Sequence, residues 1–227
     1  METPFYRDPP EFVTLLVGDT DGLHWGYYVD DPAAGPFPVA NYYHNDAFQL
    51  SVDSGLPQAV AAYAGTVHDQ VRAVIASDPG SAEEGRRRLQ RIDALREILT
   101  AYQVPASIRR APEAPTRDGI GIVVPAGRYA PLGKVDPFQD AFYSPSAAEV
   151  ERLRAAALDA LGNGYPGTAL KLGKDLWDYA EFFAASCELL AAAYDALERP
   201  LLRKRLEAVI QFRKAADRHH AGLRRHG

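Results

Sequence analysis

Val, Tyr, Phe and Trp crowd the stretch from Phe12 to Leu50, which is interrupted by Asp-Thr-Asp-Gly, Asp-Asp-Pro and Gly-Pro-Phe-Pro. Aromatic and β-branched runs punctuated by turn formers read as strands. The pattern predicts strands at Phe12–Val17, His24–Val29, Val39–Tyr43 and Phe48–Ser51. Their hairpin-length connections predict antiparallel pairing. After that the period changes. Leu56, Val60, Tyr63, Val67, Val71 and Val74 recur at three- or four-residue steps, which places one apolar stripe on a helix ending near Asp78. Ser81-Ala-Glu-Glu opens a second helix with Leu89, Ile92, Leu95, Leu99 and Tyr102 expected to face inward. Arg86, Arg87, Arg88, Arg91 and Arg96 fall elsewhere on it and read as a solvated face, with phosphate contact as the rival reading.

Gly119-Ile-Gly-Ile-Val-Val-Pro125 follows a proline-bearing loop and predicts a buried strand. A helix is expected from Ser146 to Leu161, closed by Gly162-Asn-Gly164, since glycine tolerates the left-handed turn that ends a helix. From Leu172 through Leu176, Tyr179, Phe183, Cys187, Leu190 and Tyr194 to Leu197, the apolar steps predict one long C-terminal helix, broken by Pro200. Leu201 to Phe212 forms a further amphipathic segment, and the basic tail after it is expected to fray. The fold class predicted is α+β, a mostly antiparallel sheet packed by several helices. One compact domain over residues 1–227 is expected, with two lobes meeting near 111–118 as the alternative.

The chain has 227 residues and a formal net charge of -5, so it offers no overall attraction to nucleic acid. Cys187 is the only cysteine, which excludes an internal disulfide and fits a reducing compartment. No signal peptide or run of about 20 apolar residues is visible. These features predict a cytoplasmic protein with no membrane contact.

Candidate chemistry is sparse. No hydrolase elbow, zinc helix or calcium loop occurs. His24, His44, His68, His219, His220 and His226 are dispersed, so no metal site is expected. His44 with Asp46, and His24 near Asp19 and Asp21, read as polar turns rather than proton-transfer pairs. Cys187 lies in the apolar stripe and reads as core. Asp175 and Asp178 stand near the start of the long predicted helix, either as caps or as carboxylates offered to a partner.

Four stretches carry a more specific pattern: Tyr6-Arg-Asp-Pro-Pro-Glu-Phe12; Gly18-Asp19 with His24-Trp-Gly-Tyr-Tyr-Val-Asp-Asp-Pro32; Gly119–Pro125; and Leu172-Gly-Lys-Asp-Leu-Trp177 continuing to Glu188–Tyr194. In this order they resemble the histone PARylation factor family, accessory factors of poly(ADP-ribose) polymerases, in a minimal, bacterial-like form. The resemblance implies a protein that docks beside the NAD-binding cleft of an ADP-ribosyltransferase and alters its choice of acceptor. NAD would enter only through that partner, so no cofactor is expected on this chain. Animal members insert a carboxylate that deprotonates the acceptor serine, and a positioned base contributes typically about 10²- to 10⁴-fold.

At that place the sequence departs from the family. Counting back from Leu172-Gly173, the family's adjacent Asp-Glu pair falls on Gly162 and Asn163, and neither is a base. The nearest acids are Asp159 and Asp175, the candidates for a substitute. The family's partner-contacting arginine has an approximate counterpart in Arg128. Partner contact is therefore expected through Arg128, Gly162, Asn163, Tyr165 and Asp175, with no independent enzymatic activity. A rival resemblance, to SMI1/KNR4 immunity proteins, implies a toxin as the partner.

Overall fold

Gly26 has no room for a side chain. A Cβ there would lie 2.2 Å from the Val13 carbonyl oxygen and 2.9 Å from the Phe12 ring. This close approach brings β1 (Phe12–Val17) against β2 (His24–Tyr28) in an antiparallel ladder, with Phe12 opposite Tyr28 and Val17 opposite His24. A register shift between Thr14 and Leu16 marks a bulge. β3 (Val39–Tyr42) adds on the other side of β2, with His24 opposite Tyr42, and β4 (Ser51–Asp53) completes the order β1-β2-β3-β4. The structure is a computed structural model, and it describes residues 8–18, 22–35, 37–43, 51–53, 55–102, 110–140 and 142–223.

Among the described residues six α-helices follow: α1 (Leu56–Ser77), α2 (Ala82–Ala101), α3 (Ala147–Gly162), α4 (Pro166–Asp175), α5 (Phe183–Ala196) and α6 (Pro200–Leu223). The fold class is α+β. The chain divides into two compact units, Met1–Val52 with Arg109–Gly227, and Asp53–Ile108.

In the first unit the core gathers Val29, Ile122, Val124 and Phe138 with Val150, Leu153 and Ala157 of α3, Leu170 and Leu172 of α4, Leu189 to Tyr194 of α5, and Leu202, Leu206 and Val209 of α6. A smaller cluster, Phe12, Tyr28, Ala40, Tyr42 and Ile120, lies on the sheet. Ser146 caps α3 by accepting from the Glu149 N–H, and Asn163 with Gly164 (φ 91°) closes it, as the sequence predicts. Pro200 opens α6 at its first position, where a missing N–H is harmless.

The long helix predicted from Leu172 to Leu197 is corrected. α4 stops at Asp175, a short 3₁₀ turn spans Ala180–Phe182, and α5 begins at Phe183. The chain folds back so tightly that a Cβ on Gly173 would lie 2.9 Å from Leu190, and the Ser186 hydroxyl donates to the Gly173 carbonyl at 2.6 Å. Both helices bury apolar stripes of the same period, so the period runs on through a turn that no glycine or proline marks. The strand predicted over Gly119–Pro125 is also corrected. Ile120 to Val124 are buried, but only Ile122 bridges, to Ala114, and Gly119 and Gly121 adopt φ of 76° and 79°. Side chains of other segments satisfy this backbone in place of a neighbouring strand, as described below.

The second unit is the helical hairpin of α1 and α2. α1 buries Ala59, Ala64 and Val71. The inward stripe predicted for α2 is not buried: Leu89, Ile92 and Leu99 are half-covered, and Leu95 and Tyr102 are exposed. Among the described residues α1 is the main neighbour of α2, and one helix covers only part of another's circumference.

Substituting Gly26→Ala forces its Cβ into the Val13 carbonyl. Denaturant unfolding is expected to show a loss of about 1–3 kcal/mol, the usual range for overpacking.

Candidate functional site

The sequence from Pro166 to Asp175 makes a ten-residue helix in which every residue is buried, although it carries Lys171, Lys174 and Asp175. Buried charges are stable only when paired and hydrogen-bonded, so the surrounding segments must supply partners. Lys174 Nζ donates to the Tyr28 hydroxyl of β2 and, at 2.9 Å, to the Gly121 carbonyl, and lies 3.2 Å from Asp118. Asp118 accepts from the Thr116 hydroxyl and from Ile120 N–H at 3.0 Å, and Gly121 N–H donates to Thr116 at 2.7 Å. One ammonium thus joins α4, the sheet and the 116–121 loop. Burial keeps the Tyr28 phenol protonated by pushing its pKa well above the ordinary value.

Lys171 lies one turn earlier. Its Nζ is 2.5 Å from Asp175 and 2.7 Å from Asp136. Asp175 also accepts from Arg117 N–H at 2.8 Å. Burial works against the Lys171 ammonium, but Asp175 and Asp136 outweigh it and raise its pKa. Burial lifts the Asp175 carboxyl to about 7, against the opposing pull of Lys171 and the Arg117 N–H.

The N-terminal segment is fixed by the same logic. Glu11 is buried, accepts from the Tyr194 hydroxyl of α5 at 2.6 Å, and has its pKa raised by burial. The His24 ring faces Asp8 Oδ1 at 2.7 Å and the Gly22 carbonyl at 2.6 Å, and both side chains of the His24–Asp8 pair are fully buried. His24 is therefore sealed into structure. Asp19, Asp21, His44, Asp46 and His226 lie outside the described residues. Arg205 of α6 donates to the Pro10 and Phe12 carbonyls at 2.8 and 2.6 Å, and Arg199 donates to the Val123 carbonyl at 2.6 Å. Cys187 is half-buried, and burial pushes its thiol up to about 11, so it stays protonated at neutral pH.

The candidate partner residues fall into two places. Gly162, Asn163, Gly164 and Tyr165 form the exposed turn between α3 and α4, held by Tyr165 N–H to the Ala160 carbonyl at 2.9 Å. The Arg128 loop sits directly on this end of α4. Gly167 N–H donates to the Arg128 carbonyl at 2.8 Å, and a Cβ on Gly167 would lie 2.8 Å from that oxygen. Thr168 adds reciprocal bonds to Ala130, at 2.6 and 3.1 Å. The Arg128 side chain donates to the Ala196 carbonyl at the end of α5, at 3.2 Å, while its buried Nε has no partner among the described residues. Arg128 and the turn are thereby brought together.

Asp159 is exposed on the last turn of α3, where Asn163 Nδ2 donates to it at 3.2 Å. Asp175 is elsewhere. It stands at the opposite end of α4, about 15 Å along a helix of this length, and is 1% exposed. With Lys171 it lies in a cleft of about 380 Å³ whose walls include Tyr129, Leu132, Phe138, Glu149 and Arg152. Val135 of the cleft wall and, farther along the chain, Phe142 are exposed. The charged set Glu11, Asp118, Lys171 and Lys174 is absent from the sequence-based candidates. The signal for it was the alternation of Lys171, Lys174 and Asp175 with the apolar Leu170, Leu172 and Leu176 over a single short segment.

A family model described as Histone PARylation factor 1 matches residues 1–134. The chain belongs to that family. No curated protein matches it significantly. The family match takes in the sheet, the α1–α2 hairpin, the 116–121 loop and Arg128, and stops before the Gly162–Tyr165 turn. It lends nothing to the SMI1/KNR4 reading.

The Asp175 carboxyl gives a pH signature. Its native pKa of about 7 exceeds the ordinary 3.8, so the native state holds this proton more tightly than the unfolded chain. The contribution of this group to stability is therefore greatest below pH 3.8 and falls as pH rises towards about 7. Urea midpoints measured across that window are expected to show a descending component that Asp175→Asn lacks, whatever its absolute stability. Lys171→Met, which leaves Asp175 buried without its nearest cation, is expected to lose about 3–5 kcal/mol.

Proposed function

We propose that this protein is an accessory factor that docks on an ADP-ribosyltransferase, shifts its choice of acceptor, and performs no chemistry by itself. Membership of the histone PARylation factor 1 family is the observation that carries the reading. The hydrogen bonding around the expected contact residues supports it. The exposed Gly162–Tyr165 turn and the Arg128 loop are locked to each other through Gly167 and Thr168, so a partner would meet a surface whose shape is already fixed. Exposed Leu132, Val135 and Phe142, on the chain that follows Arg128, add apolar area for a partner to cover.

The turn that corresponds to the family's acidic pair holds Gly162 and Asn163, so it supplies no proton acceptor. Of the two candidate substitutes, Asp175 is engaged by Lys171 and Arg117 in the interior. Asp159 is exposed beside the turn, but Asn163 already donates to it. In this reading the transferase contributes NAD and the bond-making groups, and this chain contributes a wall of the acceptor site.

Co-purification with an ADP-ribosyltransferase from the same cell tests the proposal, and failure to bind any such enzyme refutes it. Tyr165→Asp, at an exposed position, is expected to weaken that binding about tenfold or more without changing the thermal melt. Asp159→Asn is expected to leave acceptor-dependent ADP-ribosylation intact. Loss of modification with binding retained would instead assign Asp159 the role of base.

A further inference from the structure

We propose that the α1–α2 hairpin is an incomplete three-helix bundle whose third member is an acidic amphipathic helix from a partner protein. On α2, Arg88, Arg91, Leu95, Ile98 and Tyr102 follow one another at alternating three- and four-residue steps. That is the spacing of a seam that meets another helix. All five are exposed, and Ile98 and Tyr102 are 57% and 66% accessible. The neighbouring positions Leu89, Ile92 and Leu99 are half-covered, so α2 carries a second apolar line beyond the one turned towards α1.

The closed end of the hairpin holds a groove that meets this face at Arg88. The groove, of about 510 Å³, runs between the two helices, floored by Val67, Val71, Val74 and Gly85, with Glu84 and Arg88 on its rim. Glu84 and Arg88 belong to the same face as the seam, so groove and seam are continuous. Val74 is half exposed there, at 51%. Gly85 brings the helices together, since a Cβ on it would lie 2.5 Å from Ile75.

Charge identifies the occupant. Among the described residues Arg72, Arg86, Arg88, Arg91 and Arg96 make no ion pair, whereas Glu83 and Glu84 are engaged by Arg87 and Asp93 by His68. Among the same residues Glu97 also makes no ion pair but falls on the opposite side of α2, so it is at the seam that Arg88 and Arg91 stand without counter-charges beside an apolar line. A nucleic-acid backbone would use the arginines but leave Leu95 and Ile98 wet. A second copy packed in parallel would oppose Arg88 to Arg88 and Arg91 to Arg91, and one packed antiparallel would set them against Ile98 and Tyr102 without an anion. An acidic amphipathic helix satisfies both the apolar and the charged positions.

The test uses the full chain and two dye-labelled three-heptad peptides with leucine at a and d, one with glutamate and one with lysine at e and g. Anisotropy titration is expected to show the glutamate peptide binding at least about tenfold more tightly than the lysine peptide. Ile98→Asp, at an exposed position, should weaken glutamate-peptide binding about tenfold with an unchanged melt. The Arg88→Glu, Arg91→Glu pair should reverse the preference between the two peptides. Equal binding of both peptides, binding of neither, or insensitivity to Ile98→Asp would overturn the proposal. So would light scattering that shows a dimer which Ile98→Asp makes monomeric, because the groove would then belong to a second copy. None of these outcomes bears on docking through the Gly162–Tyr165 turn, so the two proposals fail separately.

Discussion

A helix buried on every side cannot carry charge unless its neighbours are arranged around that charge, and α4 carries three. Lys174 reaches the Tyr28 hydroxyl, the Gly121 carbonyl and Asp118. Lys171 and Asp175 reach Asp136 and the Arg117 N–H. Removing one partner from such a set leaves a desolvated charge, which is far more damaging than losing an exposed ion pair. The irregular path of residues 116–124 follows from this requirement. Gly121 turns its carbonyl to Lys174, Val123 gives its own to Arg199, and Thr116 takes the Gly121 N–H. Apart from the backbone bridge of Ile122 to the 113–114 segment, side chains thus do here what a neighbouring strand does for an ordinary one.

The elements with a local cause were legible in the sequence. The first three strands, the end of α1 at Asp78, and the Gly162–Gly164 close of α3 each depend on turn chemistry or period within a few residues; of the strand predicted at Phe48–Ser51, Phe48–Leu50 lie outside the described residues and β4 begins at Ser51. What escaped has a tertiary cause. Leu172, Leu176, Leu190 and Tyr194 keep one period across two helices because both bury it, so the reversal at Trp177–Phe182 left no mark in the pattern. Gly119–Pro125 is as apolar as a strand, but its pairing is set by Thr116, Lys174 and Arg199, which lie up to 76 residues away. On α2, Leu95 and Tyr102 have the right period for a core face, yet period says nothing about whether a neighbour exists to bury them.

The candidate site divides along the same line. The Gly162–Tyr165 turn was visible because glycine and asparagine end helices, and its attachment to the Arg128 loop was not, because that rests on one backbone hydrogen bond and on the absence of a side chain at Gly167. Asp175 illustrates the opposite error. Near the start of the long helix predicted from Leu172 it looks like a cap or a carboxylate offered to a partner, but it sits at the C-terminal end of α4, turned inward against Lys171. Proximity in sequence to the turn therefore does not make it part of the turn's surface.

The grip of Arg205 on the Pro10 and Phe12 carbonyls makes the first and last parts of the chain mutually dependent. The first unit is discontinuous in sequence, while the hairpin inserted into it, Asp53–Ile108, closes entirely through near neighbours. Long-range closure is slow compared with local pairing. The α1–α2 hairpin can therefore pair as soon as both helices exist, whereas the Arg205 contacts that hold the Pro-Pro-Glu-Phe strap form only after α6 has been made.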